Sequence, residues 1–283
     1  MRVLTVVCLA ATLCVSLPTV AAEQETDYSQ WGGAQTEAEG IARWENGLAR
    51  AFFGEARLIE DGQGVVSLTA PSRAENDALV PVSIGLNPQA ADAPITDLYL
   101  TVDINPAPLA AHFTIPGNRP LESLDTRVRV NGYTHVRAIA KTADGTHYMA
   151  TQWVRSRGAG CSAPPGTNQE KARETLGDIR FRLSADQPES TQRDVHMFIS
   201  HPNNTGMQRD QLTTMLIPPS YITQIDVAFE GTPLLQAETT FTLSENPSFR
   251  FRFDKHEHGT LAARVTDSDG NTFIHSQAIG DSQ

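Results

Sequence analysis

The sequence predicts an all-β protein of two tandem β-sandwich domains, the first preceded by a helix. Three observations carry this. Apolar residues recur at every second position in short runs, the mark of half-buried strands. Asn-Pro, Pro-Gly, Asp-Gly and Glu-Gly turns separate those runs. One stretch of small, unpatterned residues, Arg157 to Gly166, divides them into two groups. At 283 residues the chain is long enough for two modest cores.

Arg2 is followed by the almost wholly apolar Val3–Leu17, then by Pro18 and the small run Val20-Ala21-Ala22. This pattern predicts a secretory signal over residues 1–22, too short for a permanent anchor. Neither Cys8 nor Cys14 stands where a lipoprotein signal needs it, and both leave with the signal. Cys161 is then the one cysteine of the mature chain, and no later segment has the length of a membrane span.

The first domain is expected over residues 23–157. Thr36 with Glu39 forms a capping box, in which each side chain meets the other's orphan backbone N–H. Ile41, Trp44, Leu48 and Phe52 then follow at helical spacing, and Gly54 is placed to end the helix. From there the period is two: Val80, Val82, Ile84; then Leu98, Leu100, Val102; then Val128 and Val130 between arginines. His135–Ala140 and Tyr148–Val154 read as a hairpin closed at Asp144-Gly145.

Residues 158–177 are expected to form an arm and linker. Its core, Gly158-Ala159-Gly160-Cys161-Ser162-Ala163-Pro164-Pro165-Gly166, has no periodicity, and Thr167–Thr175 is polar. The second domain, residues 178–283, resumes the alternation with Ile179, Phe181, Leu183 and with Phe249, Phe251, Phe253, between which Arg250 and Arg252 face solvent. Leu261, Ala263, Val265 and Thr272–Ile279 follow, with turns at Glu230-Gly231 and Asp269-Gly270. About seven strands in roughly 105 residues is the size of an immunoglobulin-like sandwich.

A net charge of −11 argues against nucleic-acid or anionic-membrane partners. No phosphate loop, nucleophile elbow or zinc-binding cysteine cluster is present, so no catalytic residues are assigned. His256 and His258, beside Gly259, have the spacing of two ligands on one strand face but lack an identifiable third. His196 and His201 flank a strand end and read as structural. Asn203-Asn204-Thr205 matches a glycosylation acceptor.

Cys161 stands apart. A secreted chain usually holds paired cysteines or none, so a single thiol is a reactive group, a bridge between two copies, or incidental. Gly158 and Gly160 give its segment backbone freedom, and the small neighbours would let the thiol enter a narrow channel. Arg155 and Arg157, just upstream, suit a thiolate or an anionic group on the sulfur. A thiolate attacks disulfides and sulfenyl-type sulfur and keeps the product as a covalent adduct.

The first domain resembles the SoxY subunit of the Sox sulfur-oxidation carrier. The likeness lies in Ala70-Pro71-Ser72-Arg73-Ala74-Glu75, Leu79-Val80-Pro81-Val82, Asp103-Ile104-Asn105-Pro106, Thr126-Arg127-Val128-Arg129-Val130 and Gly158-Ala159-Gly160-Cys161. The second resembles SoxZ through Ser200-His201-Pro202 with Thr205-Gly206, Leu243-Ser244-Glu245-Asn246-Pro247, Gly259-Thr260-Leu261 and Asp267-Ser268-Asp269-Gly270. The fused form is similar to carriers associated with quinoprotein dehydrogenase systems.

The resemblance implies two immunoglobulin-like sandwiches and a periplasmic carrier, not an enzyme, with a sulfur intermediate held covalently on Cys161 and no other cofactor. It implies sulfur-processing enzymes, a quinoprotein dehydrogenase or a c-type cytochrome as partners, and His201 is a candidate interface residue for them. The alternative is a non-catalytic docking module for a quinoprotein dehydrogenase or its cytochrome, in which Cys161 is idle or bridges a dimer. Unlike a separate SoxY, whose cysteine lies in glycines at the C-terminus, this chain continues through Ser162-Ala163-Pro164-Pro165. The arm is therefore held at both ends.

Overall fold

The computed structural model describes residues 36–56, 58–59, 62–116, 121–166, 169–184, 191–254 and 258–280. The expected signal peptide lies outside them. The capping box forms as its residues require: Thr36 Oγ1 accepts from the Glu39 N–H, and Glu39 accepts from the Thr36 N–H, both at 3.3 Å. Helix α1, Glu37–Arg43, continues into a π-helical turn over Trp44–Leu48 and then α2, Ala49–Phe53, which ends at Gly54 with φ +61.

The expected single apolar face is not what forms. Ile41 is 42% exposed, while Trp44, Leu48 and Ala49 are buried. The wider turn changes the angular register, and in α1 the inward position belongs to Gly40. A Cβ there would stand 2.9 Å from the rings of His135 and Trp153, so the absent side chain lets the helix close on the sheet.

Eight strands follow: β1 Leu58–Ile59, β2 Val66–Thr69, β3 Val80–Leu86, β4 Ile95–Val102, β5 Leu109–Thr114, β6 Ser123–Val128, β7 Thr134–Thr142 and β8 His147–Val154. A short helix, α3 Gln169–Glu174, stands in the polar connector, where the sequence predicts none. The second half supplies β9 Ile179–Leu183, β10 Gln192–Ile199, β11 Ile222–Phe229, β12 Thr232–Thr239, β13 Ser248–Asp254, β14 Gly259–Asp267 and β15 Thr272–Ile279. The turns sit where the sequence puts them. Glu230 and Gly231 both adopt positive φ, +48 and +75, the backbone a tight β11–β12 hairpin needs. In β13 the three phenylalanines are buried and the two arginines point outward, with Arg252 paired to Asp194 of β10 at 2.8 Å.

Each sheet runs through both halves. One has nine strands in the order β1-β8-β7-β4-β5-β12-β11-β14-β15, the other six in the order β2-β3-β6-β13-β10-β9. The halves therefore meet edge to edge, through β5 with β12 (Phe113 opposite Ala237) and β6 with β13 (Leu124 opposite Phe251). Pairing edge to edge satisfies backbone groups that two separate sandwiches would leave open. Phe113 and Phe249 cross the seam with ring centroids 6.2 Å apart, and one apolar cluster spans both halves. Each such buried phenylalanine contributes about 2 kcal/mol.

Candidate functional site

Where β6 runs out, the chain stays bound to the second half. The Arg129 N–H donates to the Thr242 carbonyl at 2.8 Å, and Val128 bridges Leu243. Asn105 locks this turn: its Nδ2 donates to the Arg129 carbonyl at 2.7 Å and its Oδ1 accepts from the Asn131 N–H at 3.0 Å. Arg129 is thereby turned inward and is 1% exposed.

The segment carrying Cys161 lies over this turn. The Arg157 N–H donates to the Asp77 carboxylate at 3.0 Å, and the Gly158 N–H donates to Ser156 Oγ at 3.1 Å. Gly158 has φ +95, so the chain turns sharply there. Gly160 serves another purpose, since a Cβ at that position would collide with the backbones of Val130 and Asp77. The expected reason for this glycine is flexibility. The observed one is close packing of the arm on the first half.

Cys161 is buried, with 0% exposure. Both halves grip the arm around it. From the first, Arg129 Nη1 donates to the Gly160 carbonyl at 3.2 Å, and Asn131 Oδ1 accepts from the Cys161 N–H at 3.4 Å. From the second, Thr205 Oγ1 donates to the Cys161 carbonyl at 2.6 Å, and Gln208 Nε2 donates to the Ala163 carbonyl at 3.2 Å. Gln208 also holds Thr205 in place by accepting its N–H at 2.9 Å. Further along, the Gly166 N–H donates to Glu245 at 2.7 Å. Burial pushes the thiol up to about 11, against a smaller opposing pull from the Arg129 charge. In this position the sulfur is protonated and a poor nucleophile.

The charge acting on Cys161 is Arg129, not Arg155 or Arg157. Those two side chains are exposed and line a separate cavity with Arg73. His201 does not offer an interface: it is 1% exposed, accepts the Asn203 N–H on Nδ1 at 3.0 Å and lies 3.6 Å from Asp267. His196 packs against Phe198, with ring centroids 3.8 Å apart and the planes tilted by 37°. Asn203 is buried as well, its φ of +48 held by bonds from its side chain to Leu243 and Ile222, which closes the glycosylation sequence to a glycan. His256 lies outside the described residues, and His258 is exposed. Among the described residues, no group of three metal-ligating side chains gathers.

The residues that sequence reading misses are Arg129, Asn131, Thr205 and Gln208. Arg129 flanks Val128 as Arg127 does, and only the tertiary turn at Asn105 decides which of them goes inside.

Two edge-joined sandwiches close on one buried cysteine, and residues of both halves hold the segment that carries it. Residues 49–161 match the family model for the sulfur oxidation protein SoxY, and residues 180–278 match that for the sulphur oxidation protein SoxZ. The chain is a SoxY domain and a SoxZ domain in tandem, of the sulfur-oxidation carrier family, and Cys161 is the last residue of the SoxY match. A comparison with curated proteins gives no match. Among solved structures, the reduced superoxide reductase (neelaredoxin) of Archaeoglobus fulgidus is 15% identical over 39% of this chain and 94% of that one, with a TM-score of 0.25. A β-glycosidase from Bacteroides vulgatus is 9% identical over 77% of this chain and 25% of that one, with a TM-score of 0.21. No helix among the described residues is long and apolar enough to cross a membrane.

Proposed function

We propose that this chain is a periplasmic, non-catalytic carrier that holds a sulfur-containing group covalently on Cys161 and presents it to partner enzymes. The observation supporting it is the grip on the cysteine. The sole cysteine of the described residues ends the SoxY match and is held by donors from both halves beside an arginine that makes no ion pair among those residues. An incidental thiol has no need of such a setting.

The buried form is the resting state, and loading follows release of the arm. Freed from burial, the thiol regains an ordinary pKa and its thiolate attacks a sulfur–sulfur bond. A new S–S bond forms on Cys161, the attacked bond breaks, and the displaced sulfur leaves with the electron pair. Joining the thiol to a sulfur anion instead releases one proton and two electrons. These pass to a redox partner, for which the resemblance suggests a c-type cytochrome or a quinoprotein dehydrogenase.

The test is the intact mass of the protein purified from its native periplasm, before and after reduction. Added mass that maps to Cys161 and disappears with reductant is expected. An unmodified chain that also refuses sulfane-sulfur donors overturns the reading, as does full carrier activity in Cys161→Ser.

A further inference from the structure

A cavity of about 410 Å³ opens beside the foot of the arm, lined by Arg73, Ala74, Tyr133, Arg155, Ser156 and Arg157. Three of its six residues are arginines, in a chain with 33 acidic and 22 basic residues. No salt bridge neutralises any of the three guanidinium groups among the described residues. The nearest acid in the bonding pattern, Asp77, accepts the Arg157 backbone N–H.

The backbone forces two of these charges together. Arg73 and Arg155 are partners in a parallel bridge, fixed by bonds from the Ala74 N–H to the Arg155 carbonyl at 2.9 Å and from the Arg155 N–H to the Ser72 carbonyl at 3.0 Å. Like charges on paired residues repel, and among the described residues no ion pair relieves them. Guanidinium forks match the oxygens of a polyoxygen anion, often two bonds at a time. Tyr133, 43% exposed, adds a phenol at the rim. Polar and apolar surface share the lining almost equally, so selection for an anion falls to the three guanidinium groups.

We propose that Arg73, Arg155 and Arg157, with Tyr133, form a binding site for a sulfur oxyanion at the base of the cysteine arm. The oxyanion class follows from the site itself; the choice of sulfur rests on the carrier reading above. Ser156 joins the site to the arm, since its hydroxyl donates to the Val130 carbonyl at 2.8 Å and accepts the Gly158 N–H at 3.1 Å. The same chemistry serves two sources: free thiosulfate awaiting transfer, and the sulfonate end of a group already attached to Cys161.

Calorimetric titration of thiosulfate into full-length Cys161→Ser at low ionic strength tests the site without any covalent loading. One saturable equivalent is expected, weakened about tenfold or more by Arg73→Gln/Arg155→Gln. Both arginines are exposed and unpaired, so that variant keeps the wild-type melting temperature. Absence of saturable binding, affinity unchanged in the double variant, or a preference for phosphate over thiosulfate overturns the proposal. A second titration uses wild-type protein carrying an S-sulfonate on Cys161. Weakened thiosulfate binding there assigns the site to the tethered group, and unchanged binding assigns it to the free anion. The carrier reading is judged separately, by the mass on Cys161, so either can fail alone.

Discussion

Two arginines of the first half are almost wholly buried, and they are treated in opposite ways. Arg137, 2% exposed, has a counter-ion and two further contacts, Asp103 at 2.8 Å, the face of Trp44 at 4.2 Å and the Met149 sulfur at 3.7 Å, while its Nη2 is unbonded. Arg129, 1% exposed, has only the carbonyls of Gly160 and Asn203, each at 3.2 Å, and its Nε is unbonded. Burial lowers the pKa of Arg129, while Cys161 and Glu245 pull it back up. The first arginine closes a structural joint between helix and sheet. The second makes no ion pair among the described residues and lies beside a thiol that can acquire negative charge. The difference separates a charge that joins helix to sheet from one that holds the cysteine arm.

Breaking the structural joint has the largest expected effect. Arg137→Met leaves Asp103 buried without its counter-ion and should cost about 3–5 kcal/mol in urea unfolding. Adding Asp103→Leu should restore most of that loss, because burial already holds Asp103 up at about 6. Acid probes the same region. His135 is buried beside Arg137, and burial first, then that charge, drive its pKa down to about 4. The fold thus binds this proton less readily than the unfolded chain does. Its contribution is fully present above pH 6.5 and is lost as pH falls toward 4, at most about 3 kcal/mol. Thermal melts of His135→Gln should show a flatter slope across that window.

At the other arginine the effects are smaller and fall on the arm. Arg129→Met strands two carbonyls but also removes a buried charge, so its cost should stay near about 1–3 kcal/mol. Amide exchange at Cys161 should speed up in that variant. Thr205→Val, which deletes the 2.6 Å bond to the Cys161 carbonyl, should cost about 1 kcal/mol. Its sharper readout is alkylation of the native protein: wild type reacts slowly with a pH midpoint well above neutrality. In Thr205→Val/Gln208→Ala the midpoint should drop toward about 8.5. Equal rates in both would mean that these bonds do not hold the arm.

Much of this is legible in the sequence, for local reasons. Strand alternation, the capping box and the turns at Asp144-Gly145, Glu230-Gly231 and Asp269-Gly270 depend on a few neighbouring residues, so they can be read directly. The π turn that exposes Ile41 cannot, because it answers to the packing of Gly40 and Trp44 against His135 and Arg137. Nor can the joining of the sheets, since β5 and β12 lie far apart in the chain and alternation says nothing about which edge pairs with which. Cys161 is found from composition alone, but its clamp is not. Thr205 and Gln208 look like any polar loop residues until the second half folds against the first.

The two ends of the arm set how far its sulfur can travel. With Arg157 held by Asp77 and Gly166 by Glu245, the free chain between them is about 30 Å when fully extended. Cys161 sits near its middle and so rises roughly 15 Å at most, at the crest of a doubled-back strand. A terminal arm threads a tunnel one chain wide. This one arrives as a bight, and an enzyme that serves it needs a shallow, open groove that admits two chain segments side by side.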